Sequence, residues 1–105
     1  MYHNSGNRYE GEFKNNKAEG KGIFYWNNGD RYEGDWKNDI REGKGIYYDS
    51  IGNRYEGEFK NKKREGKGIM YYNNGIITIG DYLNDEPVGK HVIIFLNGKS
   101  KIIKY

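Results

Sequence analysis

The sequence predicts an all-β protein: an elongated, single-layer antiparallel meander of β-hairpins with a 23-residue period. Three observations carry this. The segment Gly-Asn-Arg-Tyr-Glu-Gly-Glu-Phe-Lys-Asn at 6–15 recurs unchanged at 52–61, and Gly-Asp-Arg-Tyr-Glu-Gly-Asp-Trp-Lys-Asn at 29–38 lies midway. Within 8–14 the side chains alternate strictly, with Tyr9, Gly11 and Phe13 on one side and Arg8, Glu10, Glu12 and Lys14 on the other. That period of two belongs to a half-buried strand. Glycine stands in columns at 6, 29, 52, 75 and 98, at 11, 34, 57 and 80, and at 20, 43, 66 and 89. Each would cost about 1 kcal/mol relative to Ala inside a helix. The repeats divide the single domain into units of 6–28, 29–51, 52–74 and 75–97 and a C-terminal half-unit or cap, 98–105.

Each unit is read in the same order. The alternating segment 8–14 is the first strand, followed by a polar loop over 15–19. The second strand runs over 21–26, rich in aromatic and β-branched residues. Asn28-Gly29, Asn74-Gly75 and Asn97-Gly98 then mark tight turns, because a two-residue hairpin needs positive φ at both central positions. A last strand over 99–105 brings the count to about nine and the rod to about 40 Å, at about 4.8 Å per strand. Gly between aromatics on one face leaves a slot that a ring from a neighbouring strand can cover. Gly20-x-Gly22 would form a second such slot. The sequence leaves open which ring covers which glycine.

This pattern of Tyr-x-Gly-x-aromatic, loop, then Gly-x-Gly resembles the MORN repeat family. It is carried by Tyr9, Gly11, Phe13, Gly20 and Gly22, then Tyr32, Gly34, Trp36, Gly43 and Gly45, then Tyr55, Gly57, Phe59, Gly66 and Gly68. The fourth unit keeps Gly80 and Tyr82 but has Thr78 in the tyrosine column and His91 in the second glycine column. That departure suits a terminal cap, which repeat arrays need. The resemblance implies a twisted open sheet acting as a scaffold for proteins, at cytoskeletal or membrane-associated structures. The fold alternative is the aromatic-rich repeat of bacterial choline-binding modules. Its Trp-Tyr-Tyr clusters are not consistently present.

Composition bears on function. Leu, Ile, Val and Phe make up only 20 of 105 residues, yet aromatics reach 16% and the net charge is +3. Low apolar content with high charge would mean disorder. The low charge and 11 tyrosines point to an aromatic core instead. With no Cys, thiol chemistry and disulfides are excluded. No apolar run approaches the ~20 residues of a membrane span, so the chain is expected in the cytoplasm. The only histidines are His3 and His91, too few to suggest a catalytic set or a metal site, and His91 is expected in a cap or at the surface. Gly98-Lys99-Ser100 imitates the end of a phosphate loop, but Ile93 stands where that motif needs Gly. No catalytic residue, metal or cofactor is expected.

The charged face carries columns Arg8, Arg31, Arg54; Lys14, Lys37, Lys60; and Lys21, Lys44, Lys67, Lys90, balanced respectively by Glu10, Glu33, Glu56; Glu12, Asp35, Glu58; and Glu19, Glu42, Glu65. Balanced columns argue against nucleic acid. The exception is Lys60, Lys62, Lys63 and Arg64, a candidate contact for anionic lipid or a partner. The C-terminal third is more aliphatic, and the last strand offers an unpaired edge for a homodimer through Ile102, Ile103 and Tyr105. The leading expectation is a non-enzymatic scaffold whose aromatic groove takes a peptide or amphipathic helix, with end residues such as Tyr2 and Tyr105 free for a partner. The alternative is a peripheral module for anionic phospholipids.

Overall fold

The computed structural model describes residues 6–105. Nine strands cross one open sheet in chain order, each antiparallel to the next: β1 (Arg8–Lys14), β2 (Lys17–Tyr25), β3 (Arg31–Lys37), β4 (Ile40–Tyr48), β5 (Arg54–Lys60), β6 (Lys63–Tyr71), β7 (Ile77–Leu83), β8 (Glu86–Ile94) and β9 (Ser100–Lys104). The body measures 47 × 23 × 18 Å with a radius of gyration of 15.1 Å. A compact domain of this length would have about 13 Å, so the expected rod is present.

The two kinds of turn are exchanged relative to expectation. Residues 15–19 are not a long loop. β1 and β2 are joined by Asn15 and Asn16 alone, with φ of 53° and 64°. Asn38-Asp39, Asn61-Lys62 and Asn84-Asp85 repeat this geometry. Asn and Asp enter the left-handed region more readily than other non-glycine residues because their short side chains bond locally. β2 therefore begins at Lys17 rather than 21. The Asn-Gly junctions are wider. Gly29 N–H donates to the Trp26 carbonyl (3.1 Å), and Trp26 N–H donates to that of Asp30 (3.0 Å). Only Gly29 has positive φ, at 99°. This is a type I turn closed by a left-handed glycine. The same Gly is required, one position later in the turn than the dipeptide signal assumes.

Between Gly11 and Phe13 the register with β2 shifts, and the pattern recurs in the later hairpins. The extra residues of β2 surround Gly20. The Glu12 carboxylate lies over Gly20 and accepts the Lys21 N–H. Of the expected second slot, Gly20-x-Gly22, the Gly20 half is thus a carboxylate-capped bulge, and only Gly22 lies under a ring.

Neighbouring hairpins are stapled at their tight turns. The backbone N–H groups of Asp39, Lys62 and Asp85 donate to the carbonyls of Ala18, Arg41 and Arg64 (3.1–3.2 Å). Glu19, Glu42 and Glu65 accept from the N–H groups of Asn38, Asn61 and Asn84. These three glutamates therefore serve turns, and Lys21 pairs across strands with Asp35 instead. For Asp35, burial raises the carboxyl pKa, but the Lys21 and Lys44 contacts outweigh it and hold it below the usual value.

The sheet has two unlike faces. One buries Tyr9, Ala18, Tyr32, Trp36, Tyr55, Phe59 and Tyr82. No Leu, Ile or Val is fully buried among the described residues. The other face carries Arg8, Arg31 and Arg54, ion-paired to Glu10, Glu33 and Glu56 of their own strands (3.1–3.3 Å). Each of these arginines also stacks on a cross-strand ring, Tyr25, Tyr48 or Tyr71, at 4.0–4.1 Å.

Candidate functional site: the aromatic face

Register decides which ring covers which glycine. Gly11 pairs with Gly22 across β1 and β2, and the Tyr9 ring leans over both, so that a Cβ on Gly22 would lie inside it. Tyr32 covers Gly45 and Tyr55 covers Gly68 in the same way. Each hydroxyl donates to a backbone carbonyl three residues on: Tyr9 to Glu12 (2.9 Å), Tyr32 to Asp35 (3.0 Å) and Tyr55 to Glu58 (3.3 Å).

The fourth hairpin solves the same problem in reverse. Thr78 stands in the tyrosine column, and His91, from the opposite strand, places its imidazole over Gly80. Its Nε2 lies 2.8 Å from the Asp81 carbonyl, the counterpart of the Glu12 carbonyl. A carbonyl only accepts, so Nε2 carries the proton. His91 is 1% exposed, so of the two expected placements, cap or surface, the surface one is excluded.

These side chains form one continuous edge-to-face ladder: Phe13, Tyr9, Trp36, Tyr32, Phe59, Tyr55, Tyr82, His91 and Tyr105. Successive centroids are 4.9–5.3 Å apart. Such contacts contribute about 0.5–1.5 kcal/mol each beyond area burial. Tyr105 ends the ladder against His91 while remaining 61% exposed, and its N–H donates to Gly89 O (2.9 Å). Phe13, which begins the ladder in the first hairpin, is 45% exposed.

Burial pushes the hydroxyls of Tyr9, Tyr32 and Tyr82 above their ordinary value of 10.0 and that of Tyr55 up to about 12. A raised pKa means the folded state holds these protons more tightly. Their contribution is complete below the unfolded value of 10.0 and is lost as pH rises through about 12 for Tyr55. The guanidinium midpoint, followed by tryptophan fluorescence, is expected to decline progressively over that interval. Tyr55→Phe should flatten part of the decline.

The sequence missed Arg41 as a site residue and grouped Arg64 with Lys60, Lys62 and Lys63 rather than with this face. Ala18, Arg41, Arg64 and Pro87 occupy one column opposite the aromatics. Arg41 lies 5.3 Å from the Trp26 ring centre, 5.5 Å from Tyr47 and 5.8 Å from both Tyr32 and Phe59. Arg64 lies 4.7 Å from Tyr82 and is ion-paired to Asp85 (3.4 Å). Between them opens a cleft of about 330 Å³, walled by Tyr47, Tyr55, Phe59 and Met70. A more open trough of about 670 Å³ follows Ile46 and Ile69 on the opposite face. The cue for the arginines was their column, which also holds Ala18 and Pro87.

Three of the four residues of the expected basic patch share the β5–β6 turn, and the fourth, Arg64, does not join them. Lys60 and Lys63 pair across the β5–β6 turn, and both are exposed, as is Lys62. Arg64 points to the aromatic face. The C-terminal edge also divides. Ile102 is 64% exposed beside Val92, whereas Ile103 is half-buried opposite His91. Tyr2 and His3 lie outside the described residues.

The MORN repeat family model matches residues 9–31, 32–54 and 55–77. The chain belongs to the MORN repeat family. Its three matched units are those in which a tyrosine covers the paired glycines. The unmatched residues 78–105 hold the His91 variant. A comparison with curated proteins returns no match. In this MORN array the ladder fills the sheet face, and a concave, partly apolar cleft stays open beside Arg41.

Proposed function

We propose that this MORN array is a non-enzymatic scaffold that receives an extended peptide or amphipathic helix of a protein partner along its aromatic face. The observation that carries this reading is the cleft between Arg41 and Arg64, about 330 Å³ with aromatic and methionine walls. Concave apolar surface bounded by a few fixed polar groups is the usual chemistry of recognition, and Met adapts to varied partners. Affinity capture from the source cell should recover a stoichiometric partner with the wild-type chain and lose it with Met70→Arg, which fills the cleft with charge. Capture insensitive to Met70→Arg, or no partner at all, contradicts the reading.

A second reading rests on the exposed Lys60, Lys62 and Lys63 at one turn. Beside an anionic bilayer each contributes about 1 kcal/mol, enough to assist contact with anionic phospholipid. Sedimentation with phosphatidylserine or phosphoinositide vesicles should fall when Lys62 and Lys63 are changed to Glu. Equal sedimentation of the variant removes this reading. Self-association through β9 is a further proposal, supported by exposed Ile79, Val92 and Ile102. It predicts that Ile102→Lys lowers a sedimentation-equilibrium mass, and a wild-type monomer at high concentration rules it out.

A further inference from the structure

We propose that the cleft between the second and third hairpins is a carboxylate-binding site, which reads an Asp or Glu side chain flanked by apolar residues in a peptide of the partner. The inference rests on the aromatic face being the docking surface and names the chemistry of what docks there.

The repeat is broken at one tight turn. In the tight turns the second residue is Asp39 or Asp85 around two of the hairpins, and each carboxylate turns back onto the preceding hairpin. Asp39 Oδ1 accepts the Ala18 N–H (2.6 Å). Asp85 Oδ1 accepts the Arg64 N–H (2.7 Å) and lies 3.4 Å from Arg64 Nε. At the equivalent place beside Arg41 stands Lys62. The Arg41 guanidinium instead donates from Nη2 to the Lys62 carbonyl (2.8 Å). Among the described residues it has no ion pair.

Lys62 is also poorly suited to its own backbone. Its φ is 71°, a conformation that Asp and Asn adopt more easily than Lys. The repeat thus departs from its locally favoured residue at the one position that would have neutralised Arg41. The acids nearby are committed elsewhere. Asp49 Oδ1 accepts the N–H groups of Ile51 and Asn53. Asp30 takes the Tyr47 hydroxyl (2.6 Å) and the Ser50 N–H. Asp85 belongs to Arg64.

What remains is a guanidinium surrounded by four rings, with an ammonium on the adjoining turn, at the edge of a partly apolar cleft. A planar fork of N–H donors set among aromatic rings suits a carboxylate, which it can bind through two parallel hydrogen bonds. The Tyr55, Phe59 and Met70 walls select apolar neighbours on either side of the acid.

The test uses fluorescein-labelled pools of nine-residue peptides with a central Asp between randomised apolar residues, and a matched pool with central Asn. Charged hydrogen bonds lost from one site weaken binding by about tenfold or more. The wild-type chain should therefore bind the Asp pool at least that much tighter than the Asn pool. Arg41→Gln and Lys62→Asp should each abolish the difference, whereas Lys14→Asp, the same charge change in the first hairpin, should leave it. Lys62→Asp restores the residue of the neighbouring turns, so its melting temperature should not fall, which separates loss of binding from loss of fold. Equal binding of both pools overturns the carboxylate site while leaving the peptide groove standing. No binding of either pool overturns both. Binding to phosphatidylserine vesicles that disappears with Arg41→Gln, without peptide binding, assigns the cleft to phosphate and also overturns the inference.

Discussion

Gly45→Ala is expected to be among the most damaging single-methyl substitutions in this chain. The new Cβ would fall within the Tyr32 ring, and Tyr32 is 0% exposed at the middle of the array. The ring must move, and moving it strains three attachments at once: the hydroxyl bond to Asp35 and the edge-to-face contacts with Trp36 and Phe59. Overpacking alone costs typically 1–3 kcal/mol. With the displaced hydrogen bond the loss should reach about 3 kcal/mol. In a chain of this size that lowers the melting temperature by roughly 12–24 °C. Gly98→Ala serves as contrast. Nothing lies within 4 Å of its would-be Cβ, and its φ is 83°. Only the backbone strain remains, about 1 kcal/mol. Thermal denaturation followed by circular dichroism measures both, and equal effects at the two sites would remove the argument from ring packing.

The fourth hairpin gives the second large effect. His91→Gly should lose about 3 kcal/mol, because it opens a cavity over Gly80, orphans the Asp81 carbonyl and cuts the ladder before Tyr105. Thr78→Tyr alone should also destabilise, because its ring would compete with the imidazole for the same space. Together the two changes rebuild the arrangement of the first three hairpins. The double variant should therefore be more stable than either single one, a coupling that urea denaturation of the four proteins measures. Simple addition of the two losses would mean that His91 does not stand in for the missing tyrosine.

Strands β1, β3 and β5 were legible because their alternation is strict and their period does not drift. The early part of β2 was not, because Lys17-Ala18-Glu19-Gly20 has neither the apolar pattern nor the β-branched residues of a strand. It is held by the bulge at Gly20 and by the turn of the next hairpin, which are non-local. Asn28-Gly29 misled for a related reason: a left-handed glycine serves two turn geometries, and the dipeptide does not say which. The Lys60–Arg64 cluster looked contiguous, but successive strand residues face opposite ways, and Arg64 lies across the sheet from Lys60 and Lys63. Arg41 was invisible as a site residue because a charge in a polar repeat reads as solvated surface. Its column partners Ala18 and Pro87 were the cue. Tyr105 lies 23 residues after Tyr82, so its place in the ladder was written in the period.

A ring lying over glycine holds each hairpin, whichever strand supplies the ring. Moving the fourth hairpin's solution into the second tests it most directly. Tyr32→Thr and Gly45→His are made singly and together, and unfolding free energies are measured in urea. Each single variant should lose about 3 kcal/mol, from the vacated space in one and the collision in the other. The double variant should recover to within about 1 kcal/mol of the wild-type chain. A double variant as unstable as the sum of its parts would contradict the claim.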